Sequence, residues 1–187
     1  LDPHFARLLS SQRICKCCGA TFAQLLSLSC DRPDICSEDL VVQDNSAILT
    51  ERGDVLTEDF CRLGDLHFLR VVLGLPIQGA GGVEFILGTW ASVAPEVFDE
   101  YLSLFDVRET EAMGPKPAWL ANALPLSDGA PPAGRIRPRA DGQYPDLDIV
   151  ETAHPLYELQ SRGLEFEEVL EMLYAYGHDL PSLLYDA

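Results

Sequence analysis

"LHFLRVVLGLPIQGAGGVEFILGTWASV", residues 66–93, carries the architecture of this chain. Two runs rich in β-branched, aliphatic and aromatic residues flank "QGAGG" (78–82), five residues of which three are glycine. Such runs favour strands and such a connector reverses the chain, so the stretch predicts a β-hairpin at the centre of a sheet. Gly79, Gly81 and Gly82 read as turn glycines, because the strand, spaced glycines and helix of a phosphate-binding loop are absent. "FCRL" (60–63) shares the texture and extends the sheet upstream.

Downstream, "APEVFDEYLSLF" (94–105) places Pro95 at a first helical position, with Val97, Phe98, Tyr101, Leu102 and Phe105 recurring at three and four residues. This predicts an amphipathic helix packed on the sheet. Five prolines then break residues 106–133 into loops and turns around a short hydrophobic or helical piece at "AWLANAL" (118–124), a covering flap or the wall of a site. "GRIRPRADG" (134–142) supplies another strand. "TAHPLYELQSRG" (152–163) reads as a helix between Pro155 and Gly163, and "LEFEEVLEMLYAYG" (164–177) as a second, with Phe166, Val169, Leu170, Leu173 and Tyr174 as its apolar stripe.

Upstream the pattern is weaker. "HFARLLSS" (4–11) predicts a short helix with Phe5, Leu8 and Leu9 on one face. Residues 37–59 read as a surface excursion, interrupted by a short strand or turn around "SAILTERGD" (46–54). The chain thus divides into a cysteine-rich subregion, 13–61, and an α+β core, 62–178, within a single domain covering 1–187. Its expected fold class is α+β: a mainly antiparallel sheet with packed helices and a small, cysteine-rich N-terminal lobe.

That lobe contains "QRICKCCGA" (12–20), three cysteines in four positions. Cys15 and Cys18 have the C-x-x-C spacing that lets two thiolates converge on one ion, which is half of a tetrahedral zinc site. Cys61 is the distant third ligand to expect, with Cys30, Cys36 or His67 as the fourth. Structural zinc is the leading expectation. Free or buried thiols, and thiol–disulfide exchange at Cys15 and Cys18, stay open because no second C-x-x-C occurs. Cys17 could point inward as a small hydrophobe. Clustered cysteines make a poor framework of disulfide staples, the opening residues lack signal-peptide features, and no apolar run reaches membrane-spanning length, so a reducing cytoplasm is expected.

Thirty acidic against thirteen basic residues give a formal charge of -17. That field repels nucleic acid and anionic membranes, which leaves a protein or a small molecule as the expected partner. Catalytic signatures are missing: neither H-E-x-x-H nor G-x-S-x-G occurs. If the protein is an enzyme, His154 serves as acid or base, with Arg70 or Arg137 as an anion clamp, in a cleft that Trp90 and Trp119 could line. His154 before Pro155 equally suits a helix cap.

The order of these segments resembles DUF2199, a family of uncharacterised bacterial proteins, over about residues 13–175. The resemblance rests on "CKCCG", "CRLGDLHFLRVVLGLPI", "GTWASVAPEVFDEYLSLF" and "AHPLYELQSRGLEFEEV". It falls on Cys15, Cys18 and Gly19, on Cys61, His67 and Arg70, on Trp90 and Ser92, and on His154, Pro155, Leu156, Gln160 and Gly163. The resemblance implies an α+β domain and assigns no reaction. This chain departs from the family pattern at "WASVAP", and against that pattern the stretch holding Cys30 and Cys36 reads as an insertion of its branch.

Overall fold

The computed structural model describes residues 3–8, 14–127 and 130–178. The central hairpin forms as its sequence dictates. Strands β5 (Leu66–Pro76) and β6 (Glu84–Val93) pair antiparallel from His67↔Val93 to Pro76↔Glu84. Gly79, Gly81 and Gly82 in the connector all have positive φ, which side chains with a Cβ resist. Side chains alternate: Leu69, Val71, Leu73 and Leu75 face Phe85, Leu87, Ala91 and Val93 in the core, while Val72, Gly74, Ile86 and Gly88 lie half-buried on the opposite face.

Each long strand changes its outer partner halfway along. β5 pairs with β4 (Phe60–Leu63) over Leu66–Leu69, and then in parallel with β9 (Asp146–Ile149) at Val72. β6 pairs in parallel with β1 (Ser27–Ser29) at Ile86–Gly88, and then with β7 (Lys116–Leu120) at Ala91–Ser92. Because β7 pairs with β8 (Ala133–Arg137) and β8 with β9, strands β5 to β9 close a circuit on themselves. From β5 the sheet continues through β4 to β3 (Val55–Thr57) and β2 (Val42–Gln43), nine strands in all among the described residues.

Partner changes leave backbone groups to satisfy, and side chains do so. Where β6 leaves β1 for β7, buried Asn122 accepts from the Trp90 N–H (3.0 Å) and the Thr89 hydroxyl (2.9 Å). Its amide donates to the Arg32 carbonyl (2.8 Å) and Asp34 Oδ1 (2.7 Å). Across the short β5–β9 contact, Gln160 of helix α5 (Pro155–Arg162) accepts from the Ile149 N–H and donates to the carbonyls of Leu147 and Gly74. At the end of α5, Gly163 has φ 84, and a Cβ there would sit 3.0 Å from the Pro76 carbonyl oxygen. A glycine lets Leu164 pair with Ile77.

The main core joins the circuit to α1 (Pro3–Leu8), α2 (Phe22–Leu25), α4 (Pro95–Phe105), α5 and α6 (Phe166–Ala175). A smaller cluster of Cys36, Leu56, Cys61, Phe68 and Trp90 lies apart from it. No helix of the described residues is long and apolar enough to cross a membrane.

Three expectations need correction. "AWLANAL" is no helix: Ala118–Leu120 belong to β7, where Ala118 and Leu120 are buried and Trp119 is 50% exposed. Pro117 disfavours helical backbone at Lys116, and the alternation then follows the pleat. Within 46–54 the chain forms a helical turn, α3 (Ala47–Thr50), that buries Ala47 and Ile48, and the strand follows only at β3. Local propensity does not favour four-residue helices, so this one depends on its tertiary contacts. On α6 the buried face is Val169, Met172 and Leu173, while Tyr174 is 67% exposed. Of the predicted first helix, Pro3–Leu8 is helical and residues 9–11 lie outside the described residues.

Candidate metal centre

Residues 14–21 form a knuckle closed by an antiparallel bridge between Ile14 and Thr21. Inside it the Cys15 N–H donates to the Ala20 carbonyl and the Gly19 N–H to the Cys15 carbonyl, both at 2.7 Å. Thr21 then caps α2 in a reciprocal box with Gln24, and buried Phe22 and Leu25 anchor the lobe in the main core. This turn aims all three sulfurs at one point. Cys15 is 1% exposed, whereas Cys17 and Cys18 face solvent.

The fourth group arrives from the other end of the chain. After α6, hydrogen bonds from Tyr176, Gly177 and His178 to the carbonyls of Met172, Tyr174 and Leu173 wind up the helix terminus. His178 Nδ1 then lies 3.7 Å from Cys15 Sγ, 3.5 Å from Cys17 Sγ and 3.8 Å from Cys18 Sγ. The four ligand atoms lie within 4.8 Å of one another, a Cys3His set consistent with structural zinc. Zinc–sulfur and zinc–nitrogen bonds of about 2.3 and 2.0–2.1 Å at tetrahedral angles require an S···N edge of about 3.6 Å and an S···S edge of about 3.8 Å. All three S···N distances fit. Cys15 Sγ and Cys17 Sγ, 2.8 Å apart, are closer than that edge and would separate around an ion.

Electrostatics point the same way. Burial opposes ionisation of Cys15, but the Cys17 thiol, the backbone of Cys17 and Cys18, and His178 outweigh it and hold Cys15 at about 6. The shared contact with Cys15, with burial behind it, pushes Cys17 up to about 11. Cys15 is therefore held negative close to neutral pH, the form in which a thiol ligates a divalent cation.

Of the expected ligands, Cys15 and Cys18 come together; Cys61, Cys30, Cys36 and His67 do not join them. Strand alternation is the reason for Cys61. Its neighbour Phe60 packs in the main core with Cys15, while Cys61 packs with Cys36, Phe68 and Trp90 in the smaller cluster. Burial, with Cys36 beside it, pushes the Cys61 thiol well up. Cys30 lies 4.0 Å from the Tyr176 hydroxyl, and the His67 ring packs tilted against Phe98 with centroids 4.9 Å apart. Cys17, which could have pointed inward as a small hydrophobe, is exposed and in the cluster. His178 carried no local signal: it has no ligand partner near it in sequence, and only the course of α6 delivers it.

His154, Arg70 and Arg137 are not gathered either. His154 is the N-cap of α5, its Nδ1 accepting from the Leu156 N–H at 3.2 Å. Arg70 lies over the Trp90 ring at 5.3 Å, and Arg137 pairs with Asp148 at 3.0 Å. A cleft of about 250 Å³ between β5 and β9 is lined by Arg137 with Glu84, Asp146 and Gln160, and by neither His154 nor Arg70. Trp90 is buried in the smaller cluster, so it does not line a cleft with exposed Trp119.

No curated protein and no solved structure matches the chain. Residues 14–164, which include every strand and the three knuckle cysteines but not α6 or His178, match the family described as DUF2199, uncharacterized protein conserved in bacteria. On that match the chain belongs to the DUF2199 family.

Proposed function

We propose that Cys15, Cys17, Cys18 and His178 hold a structural zinc ion, and that the protein so fastened is a binding protein for a basic partner. One observation carries the metal assignment: donors 160 residues apart in sequence converge within 4.8 Å. Four protein ligands fill a tetrahedron and leave no open position for water, which is the arrangement of structural rather than catalytic zinc. Bound there, the ion supplies cross-linking between the N-terminal knuckle and the end of α6 in place of a larger lobe core.

Charge and shape support the partner. Between Asp31 and Asp59 nine acidic residues stand against two arginines, Arg32 and Arg52. Arg32 is itself turned onto the carbonyls of Ser37 and Leu40. The same stretch exposes Ile35 and Val41, and a groove of about 360 Å³ lined by Ile35, Leu40 and Leu63 is rimmed by Asp39 and Asp54. An apolar side chain flanked by Lys or Arg suits that groove. Within the proline-rich residues 106–133, expected as a covering flap or the wall of a site, Lys116–Leu120 form β7 of the sheet.

Metal content tests the first part. Reduced protein purified without chelator should carry one zinc per chain by inductively coupled plasma mass spectrometry, and His178→Ala should lose it to a competing chelator more than about 100-fold more readily, beyond the usual effect of an outer-shell change. Substoichiometric zinc with no uptake of added zinc would overturn the assignment. Thiol–disulfide exchange is the second reading, favoured by the 2.8 Å contact of Cys15 with Cys17, and it requires alkylation of these thiols in zinc-free native protein. For the partner, a labelled peptide alternating Lys and Leu should bind at low salt and bind less to Leu40→Asp; equal binding by both proteins would sink the groove.

A further inference from the structure

Resting on the zinc assignment, we infer that the centre is a peroxide-responsive clasp: a hydroperoxide oxidises Cys17, Cys15 closes a disulfide onto it, and the metal and His178 are let go. Three observations support the choice of sulfurs. Cys17 is exposed and meets a small oxidant directly, whereas Cys15 is 1% exposed and approachable mainly from its neighbours. Cys15 Sγ lies 2.8 Å from Cys17 Sγ, inside the tetrahedral S···S edge of about 3.8 Å, so this pair is already in contact. Finally, removing both sulfurs leaves Cys18 and His178, half of a tetrahedral set.

The chemistry balances without any further reagent. The Cys17 sulfur, a thiolate when it serves as a metal ligand, attacks one peroxide oxygen, the O–O bond breaks, and the other oxygen leaves and takes a proton as water or alcohol. Cys17 is then a sulfenic acid. The Cys15 thiolate attacks that sulfur, the S–O bond breaks, and hydroxide leaves and takes a proton as a second water. Two thiolates have lost two electrons and the peroxide has gained them.

Release would be felt along α6. His178, the ligand that is let go, follows directly on the helix terminus, where its N–H donates to the Leu173 carbonyl at 2.9 Å. Opening the centre therefore frees the last turn of α6 from the lobe, next to the apolar surface that Phe5, Leu8 and Phe22 share with Val169 and Leu173.

The test uses the full zinc-loaded chain, freed of reductant and titrated with hydrogen peroxide. Zinc is read with a metallochromic indicator, thiols by titration, linkage by peptide fragmentation that separates residue 17 from residue 18, and helix-end opening by hydrogen exchange over residues 172–178. The expected result is loss of one zinc and two thiols per chain, a bridge between Cys15 and Cys17, and faster exchange in that segment, all reversed by dithiothreitol with added zinc. Retention of zinc under excess peroxide, a bridge to Cys18, or direct conversion to sulfonic acid would overturn it. Zinc counted before peroxide reads the metal assignment separately: reduced protein without zinc sinks that assignment and the clasp, while the linkage found in the zinc-free chain still decides which sulfurs pair.

Discussion

Asn122 shows how one side chain can decide a topology. It stands where β6 exchanges β1 for β7 and makes four hydrogen bonds, two of them to groups on β6 itself. Asn122→Ala leaves the buried Trp90 N–H and Thr89 hydroxyl without partners, and we expect a loss of about 2–4 kcal/mol, read as a lower urea midpoint. His154 gives the opposite case. Its Nδ1 caps α5, yet its buried Nε2 has no hydrogen-bond partner. His154→Asn keeps a capping oxygen and removes the orphaned nitrogen, so stability should stay within about 1 kcal/mol of the parent, whereas His154→Ala should lose about 1 kcal/mol of capping. Urea unfolding of both variants checks this; equal losses would reject the cap as the main role. At this scale the sequence was legible where a residue acts on its neighbours: the capping role open for His154 and the turn role of the hairpin glycines came from adjacent residues. Asn122 and His178 act across the fold and had no such sign.

Between elements, α5 and α6 are tied by a forked contact. Arg162 reaches Glu168 through Nη2 at 2.6 Å and Nη1 at 2.9 Å, and Glu168 also accepts from the Glu165 N–H at 2.8 Å. The Arg162 contact, only partly offset by burial, holds the Glu168 carboxyl below the usual carboxylate range. A depressed folded value contributes stability that is fully present above the unfolded value of about 4.3 and is lost as pH falls through the folded one. Parent and Glu168→Gln should therefore draw together in stability as pH falls from about 4.3 through the folded value, and differ by no more than about 1 kcal/mol at neutral pH, since both side chains reach solvent. Denaturant unfolding across pH 3–7 would show it, and a gap that widens on acidification would refute it. Strands β5, β6 and β8 and helices α4, α5 and α6 were legible as elements, because each is long enough for its apolar period to repeat or carries end signals such as Pro155 and Gly163. Of the elements of two to four residues, β4 was legible from the texture of "FCRL", whereas β2, α3 and β3 were not, because a period cannot repeat within them.

For the molecule as a whole, the main core runs from Phe5 to Leu173, so the lobe that carries the knuckle and the helix that carries His178 share one interior. A zinc ion bound between them would stabilise the whole by mass action. Chelation from reduced protein should lower the melting temperature by about 6–12 °C, the shift that follows from about 3 kcal/mol in a chain of this size, and zinc should restore it. Differential scanning calorimetry with and without chelator decides this; identical midpoints in zinc-loaded and chelated samples would leave the centre without a structural role.

Sequence alone determined the α+β class, the hairpin, the packed helices, the acidic character and the half-site at Cys15 and Cys18, because each of these is written in periods, turn chemistry, composition or spacing within a few residues. Only the tertiary structure decided the closed circuit from β5 to β9, the placing of Cys61 beside Cys36 instead of Cys15, and the meeting of Cys17 with His178. Those outcomes depend on which face of a strand meets which core and on where a helix ends in space. Such distances are set by packing across the whole chain and leave no mark on its local order.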